Sequence, residues 1–182
     1  MPEKEKTSAP IVPTYTEKDI EHLTPIEAIR TRPGMYIRGT GTAGLFQLID
    51  EVISNSIDEA SMGFGKQIDL SLNKDGSVSI QDHGRGIPVG KHKSGKPTVE
   101  MVFTSLHKGA KFSGSSYFRS GGLHGVALTV VNALSKWVEV EICRDGAKHL
   151  QRFEGGSPKY PIKQIGKSTE TGTTITFLPD ST

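Results

Sequence analysis

The stretch EVISNSIDEA, Glu51 to Ala60, decides how the rest of the chain is read. Apolar side chains recur in it every three or four residues, which predicts an α-helix. Extended both ways, the pattern runs from Thr42, a candidate cap, to Gly63. Leu45, Leu48, Ile49, Val52, Ile53, Ile57 and Ala60 then form one broad buried face. At about 100° per residue, Glu51, Asn55 and Asp58 share a narrow stripe opposite most of that face. A charged stripe is ordinarily a solvated surface. Here no Lys or Arg occurs between Gly39 and Gly65, so the usual i,i+4 pairing with a base is missing. An Asn among carboxylates also offers its oxygen to a hard cation.

Upstream, Thr16 or Thr24 caps a short helix with Pro25 in its first turn, and Pro33-Gly34 stops it. Downstream, Ile68, Leu70 and Leu72 alternate with polar residues, as do Val78 and Ile80, and Asp75-Gly76 between them signals a hairpin. Residues 83–97 read as loop. TVEMVFTSLH reads as a helix with Val99, Val102, Phe103 and Leu106 on one side. Residues 108–125 are rich in Gly and Ser, and a loop of this length in a compact domain is usually functional. GVALTVVNALS is a buried helix entered from that loop. KWVEVEICR, KHLQRFEGG and TGTTITFLP read as strands separated by turns. The expected fold is α+β, a two-layer sandwich of helices on a mostly antiparallel mixed sheet.

Composition narrows the function classes. At 182 residues the chain is long enough for one domain with a core, and 23% charged against 34% hydrophobic residues excludes a disordered chain. A net charge of +2 gives no argument for a free-standing nucleic-acid binder. The single cysteine, Cys143, excludes an internal disulfide and suits a reducing compartment. No apolar run approaches a membrane span or forms a signal core, so the expected location is the cytoplasm. Residues 1–14, rich in Pro and Lys, are expected to form a flexible arm ahead of a domain spanning residues 15–182.

Two loops carry candidate chemistry beside the helix. In DHGRGIP, Asp82 to Pro88, a carboxylate ends a strand and two glycines allow close backbone approach. Either this is an ordinary Asp-Gly turn, or the carboxylate accepts an amine from a flat ligand in a glycine-walled slot. In SGGLHGVA, Ser120 to Ala127, glycines run into a helix N-terminus, where backbone N–H groups and the helix dipole make an anion site. Lys108 and Lys111 in the preceding loop point to phosphate. Gly90 to Lys96 reads G-x-x-x-x-G-K, but Pro97 stands where a P-loop needs Ser or Thr and no strand leads in, so this is a solvated basic loop. The six histidines show no zinc-ligand spacing, and His124 reads equally as a core or cap residue.

Together these motifs, in this order, resemble the GHKL ATPases. RTRPGMYI, EVISNSIDEA, DHGRGIPVG, SGGLHGV with VVNALS, and TGTTITFLP are similar to the ATPase domain of bacterial type II topoisomerases, the B subunits of DNA gyrase and topoisomerase IV. The resemblance runs from Tyr15 to Pro179 and leans toward topoisomerase IV in GKPTVEMVFTSLH and RFEGG. It implies ATP and Mg²⁺ as ligands. Glu51 would be the general base for the attacking water, and Asn55 would coordinate the metal. Asp82 would accept the adenine amino group, with Thr173 nearby through water. Gly84, Gly86, Ile87 and Pro88 would wall the adenine slot. Lys111 and the backbone of Gly121, Gly122, Leu123, His124, Gly125, Val126 and Ala127 would cover the phosphates. Tyr15 would reach the nucleotide of the other protomer. Arg85 and Arg144 would flank the mouth, with Glu59 pairing Arg144.

The resemblance further implies a homodimeric gate closed by ATP, DNA and A-type subunit partners held by later regions, and adenine-site inhibitors. The chain is then expected to be a monomeric, weakly active fragment without the transducer domain and its phosphate-contacting lysine. Two departures stand out: Ala127 replaces a usual Gly, and Gln47 replaces a usual His. A histidine-kinase-type GHKL domain is an alternative, although it lacks RPGMYI and the Glu at the base position. A degenerate, non-enzymatic nucleotide-binding module is another.

Overall fold

The computed structural model of the chain describes residues 23–106 and 127–180. They form four α-helices and a seven-stranded sheet. The first helix, α1, spans Pro25–Thr31. Of its two expected caps Thr24 is the one in place: its hydroxyl takes the Glu27 N–H at 3.3 Å while the Glu27 carboxylate takes the Thr24 N–H at 2.8 Å, a reciprocal capping box. Thr16 lies outside the described residues. A single 3₁₀ turn, Pro33–Met35, follows.

The long helix α2 spans Thr42–Ser61. Gly41, not Thr42, occupies the cap position, and no side chain caps the helix start. Leu48, Ile49 and Val52 are buried as expected, but Ile57 is 48% exposed. Ser56 and Asp58 are buried in its place. The buried face is therefore rotated toward the acidic stripe, which borders the core instead of opposing it. The reason is that α2 is covered from one side by α4 and the sheet, and at that border the sheet ends in polar groups that a helix can meet only with polar side chains.

Strands β1 (Ile68–Leu72) and β2 (Val78–Asp82) form the expected hairpin, with Gly76 at φ +84° in its turn. Helix α3 is Thr98–Thr104; besides Val99 and Phe103 it buries Met101, which its periodicity does not place inside. Helix α4, Ala127–Ala133, is buried from Leu128 onward. The remaining strands are β3 (Ser135–Arg144), β4 (Ala147–Glu154), β5 (Ser157–Pro158), β6 (Lys163–Lys167) and β7 (Gly172–Pro179). The sheet order is β1-β2-β7-β3-β4-β5, with β6 also on β4. Every pairing among the described strands is antiparallel, so the parallel component of the expected mixed sheet does not occur among them.

The helices pack on one face of this sheet. Val138, Val140 and Ile142 of β3 and Phe177 of β7 meet Val52, Val99, Phe103 and Val131 in one core. The Phe103 and Phe153 rings stack with centroids 5.1 Å apart. Among the described residues no helix is long and apolar enough to cross a membrane.

Candidate functional site

Strand β7 inserts between β2 and β3, and its register sets Thr173 opposite Asp82. That pairing builds the site. Asp82 is the last residue of β2, so its half-buried side chain stands where the ladder opens. Its Oδ1 accepts the Gly84 N–H at 2.9 Å and the Thr173 N–H at 3.3 Å. The Oδ2 atom accepts the Ser56 hydroxyl from α2 at 3.4 Å. Burial pushes the Asp82 carboxyl above the usual carboxylate range; the two backbone N–H bonds oppose that shift and the nearby Glu59 charge adds to it.

The glycines around Asp82 are required by space. Gly86 has φ +75°, and a Cβ there would lie 2.8 Å from the Cys143 carbonyl. A Cβ on Gly84 would lie 3.0 Å from Asp82 Oδ1 and from the Glu59 side chain. The Ile87 N–H donates to Thr173 Oγ1 at 3.2 Å, which ties the loop to β7. Ile87 packs against the core while Pro88 is exposed.

Glu59 does not pair with Arg144. Its carboxylate takes three N–H groups of Arg85: the backbone N at 3.2 Å, Nε at 3.0 Å and Nη2 at 2.9 Å. The Arg85 guanidinium also lies 4.3 Å over the Phe64 ring. Arg144 instead donates from Nη1 to the Gly86 carbonyl at 2.6 Å and pairs with Asp145 at 3.4 Å. Proximity along the loop explains the exchange: Gly84 packs on the Glu59 stem, which places the next residue's side chain over the carboxylate. Both arginines line a cleft of about 450 Å³, with Phe64, His83 and Asp145.

Glu51 and Asn55 lie on α2, two turns and one turn before Glu59, and both are half-buried. The Asn55 Nδ2 donates to the Glu51 carbonyl at 2.8 Å, so its amide oxygen is directed away from that carbonyl. Among the described residues no group of three His, Cys, Asp or Glu could hold a metal by itself. Magnesium fits this donor set only in its usual manner, one or two protein oxygens with phosphate oxygens completing the shell. Gln47 is committed elsewhere: its Oε1 accepts the Arg38 N–H at 2.8 Å and its Nε2 donates to the Tyr36 carbonyl at 3.2 Å. Tyr15, Lys108, Lys111, Gly121, Gly122, Leu123, His124, Gly125 and Val126 lie outside the described residues; Ala127 opens α4.

Sequence reading misses Ser56, Phe64 and Gly172. Ser56 has a signal, a small polar residue at a helix position facing the core. Gly172, at φ +147°, brings its backbone against the Asp82 carbonyl, where a Cβ would collide.

The chain is thus a helical layer on an antiparallel sheet, with a half-buried carboxylate at a strand end and an acid- and amide-bearing helix beside it. Residues 40–182 match the family described as Histidine kinase-, DNA gyrase B-, and HSP90-like ATPase, and the chain belongs to that family. Within it, the chain is 54% identical over 169 residues to the B subunit of DNA topoisomerase 4 from Staphylococcus aureus strain N315, covering 92% of this chain and 26% of that protein. It is likewise 54% identical over 171 residues to the same protein from Streptococcus pneumoniae serotype 4, with 92% and 26% covered. The 43K ATPase domain of Thermus thermophilus gyrase B, solved in complex with an aminocoumarin, superposes with a TM-score of 0.76 at 40% identity, covering 87% of this chain and 40% of that one. The chain thus spans about a quarter of the length of the curated relatives it matches.

Proposed function

We propose that this chain is the nucleotide-binding and nucleotide-hydrolysing part of the B subunit of a type II topoisomerase, of the topoisomerase IV or gyrase kind. The observation that carries the reading is Asp82: a half-buried carboxylate whose Oδ1 is engaged by two backbone N–H groups, while Oδ2 accepts the Ser56 hydroxyl at 3.4 Å and keeps a second lone pair for a ligand amine. An adenine amino group matches that acceptor. Glu51, further along α2, is the base that takes the proton of the attacking water. Asn55 offers its oxygen to Mg²⁺. When bound with ATP, the metal supplies charge neutralisation on the phosphates. The Gly84–Gly86 backbone, Ile87 and Pro88 exclude water from one side of the base; Arg85 and Arg144 stand at the mouth.

In the whole protein, ATP closes two such domains into a homodimeric gate for DNA passage, with DNA and the A-type subunit held by other regions. Tyr15 reaches the nucleotide of the other protomer, and Lys111 with residues 121–127 covers the phosphates. The work is done in the cytoplasm, and adenine-site inhibitors occupy the Asp82 pocket. Calorimetric titration with Mg²⁺ and a non-hydrolysable ATP analogue tests the reading. Saturable binding is expected, weakened by about 1–3 kcal/mol in Asp82→Asn, which loses a charge-assisted bond. No heat with any adenine nucleotide overturns it.

A further inference from the structure

We propose that Ser56 is a positioning residue for the nucleotide: its buried hydroxyl holds Asp82 Oδ2 as a charged hydrogen-bond acceptor and so sets the pH range in which the site takes an adenine amine. The inference deepens the proposed function and rests on it. Ser56 is 4% exposed, so little water competes for its hydroxyl. It has two acceptors in reach, Asp82 Oδ2 at 3.4 Å and the Val52 carbonyl at 3.5 Å. One hydrogen serves one of them well. A charged oxygen is the stronger acceptor, so the hydroxyl turns to Asp82 when Asp82 is ionised and to Val52 when it is protonated.

Burial and the two backbone N–H bonds weigh most on Asp82, and the Ser56 hydroxyl adds a smaller contribution that a side-chain substitution can remove. From α2 the facing groups are Ser56 and the Glu59 carboxylate, which disfavours a second negative charge. From the loop, Arg85 is committed to Glu59, and the His83 ring pairs with Asp69 of β1 at 3.2 Å. Strand β7 presents the uncharged Thr173, and β1 presents Ile68 opposite Asp82. Among the described residues three donors hold the carboxylate, and two are backbone N–H groups that no side-chain substitution removes. Ser56 is the side-chain donor, and burial opposes all three.

The experiment follows Asp82 by carboxyl NMR titration in the ligand-free chain and, in parallel, the Kd of a non-hydrolysable ATP analogue against pH. Ser56→Ala is expected to move both midpoints up by less than about one pH unit, the upper size of one hydrogen bond to a charged group, because the bond is long. Ser56→Thr, which keeps the hydroxyl, is expected to restore them. In an Asp82→Asn background, Ser56→Ala is expected to leave the pH profile of binding unchanged. Superimposable Asp82 titrations in wild type and Ser56→Ala overturn the inference, whether or not nucleotide binds. If the wild type binds no adenine nucleotide at any pH, the proposed function fails and the ligand half of this inference fails with it.

Discussion

Asp82 makes the domain's stability depend on pH in an uncommon direction. Burial raises the carboxyl in the folded state, so the fold prefers the neutral form. The stabilising contribution is present in full below the unfolded-chain value and is lost as pH rises through the raised folded value. Asp82→Asn keeps an oxygen for the Gly84 and Thr173 N–H groups and does not titrate. The thermal stability of this variant relative to wild type is therefore expected to rise as pH increases above the ordinary aspartate value of about 4, while its nucleotide binding falls. A stability difference that stays flat or shrinks above that value refutes the assignment. The same loop permits a steric test. Gly86→Ala would place a methyl carbon 2.8 Å from the Cys143 carbonyl at a φ of +75°. A loss of about 1–3 kcal/mol in chemical denaturation is expected from left-handed backbone strain and overlap together. An unchanged midpoint would show that the turn tolerates a side chain.

At the scale of elements, α2 is the part whose sidedness matters, because it must face the core and the site at once. Val52 is 1% exposed and Ile57 is 48% exposed. Val52→Ala is expected to cost about 2–3 kcal/mol through lost packing and a residual cavity, whereas Ile57→Ala stays within about 0.5 kcal/mol, as an exposed position should. Equal losses would mean the helix is rotated as its periodicity alone suggests. Much of this scale is legible in the sequence. The α2 span, the β1–β2 hairpin and the three long strands each carry a strong local pattern, and Asp82 stands out because a carboxylate followed by two glycines ends an alternating strand. What is not legible depends on contacts distant in sequence. Ile57 fits an apolar period, yet no described element covers it. Asp58 looks solvated on its acidic stripe, yet it is buried. The strand β6, KQIGK, has no alternation because it is mostly exposed and is held by its ladder to β4. The Glu59–Arg85 pair forms because the glycine turn folds back over α2, a path that spacing does not reveal.

Over the whole molecule the two layers divide the labour. On the proposed reading the sheet end, through Asp82 and Thr173, recognises a base, while α2, through Glu51 and Asn55, faces the reacting end of the ligand. Binding and chemistry are thus separable by substitution, because the groups for each sit on different layers joined by the Val52–Ile80 core. In a protein of the length its relatives have, Glu51→Ala is expected to lower ATP turnover by about 10²–10⁴-fold, the usual worth of a positioned general base. The Kd for a non-hydrolysable analogue should stay within about 3-fold of wild type, since Glu51 holds no part of the base-recognition network; about 3-fold is under 1 kcal/mol. Steady-state turnover beside calorimetry distinguishes the outcomes. Turnover preserved with binding intact removes Glu51 from the chemistry. Turnover and binding lost together would make it a structural residue of α2 and return the question of the base to the rest of the site.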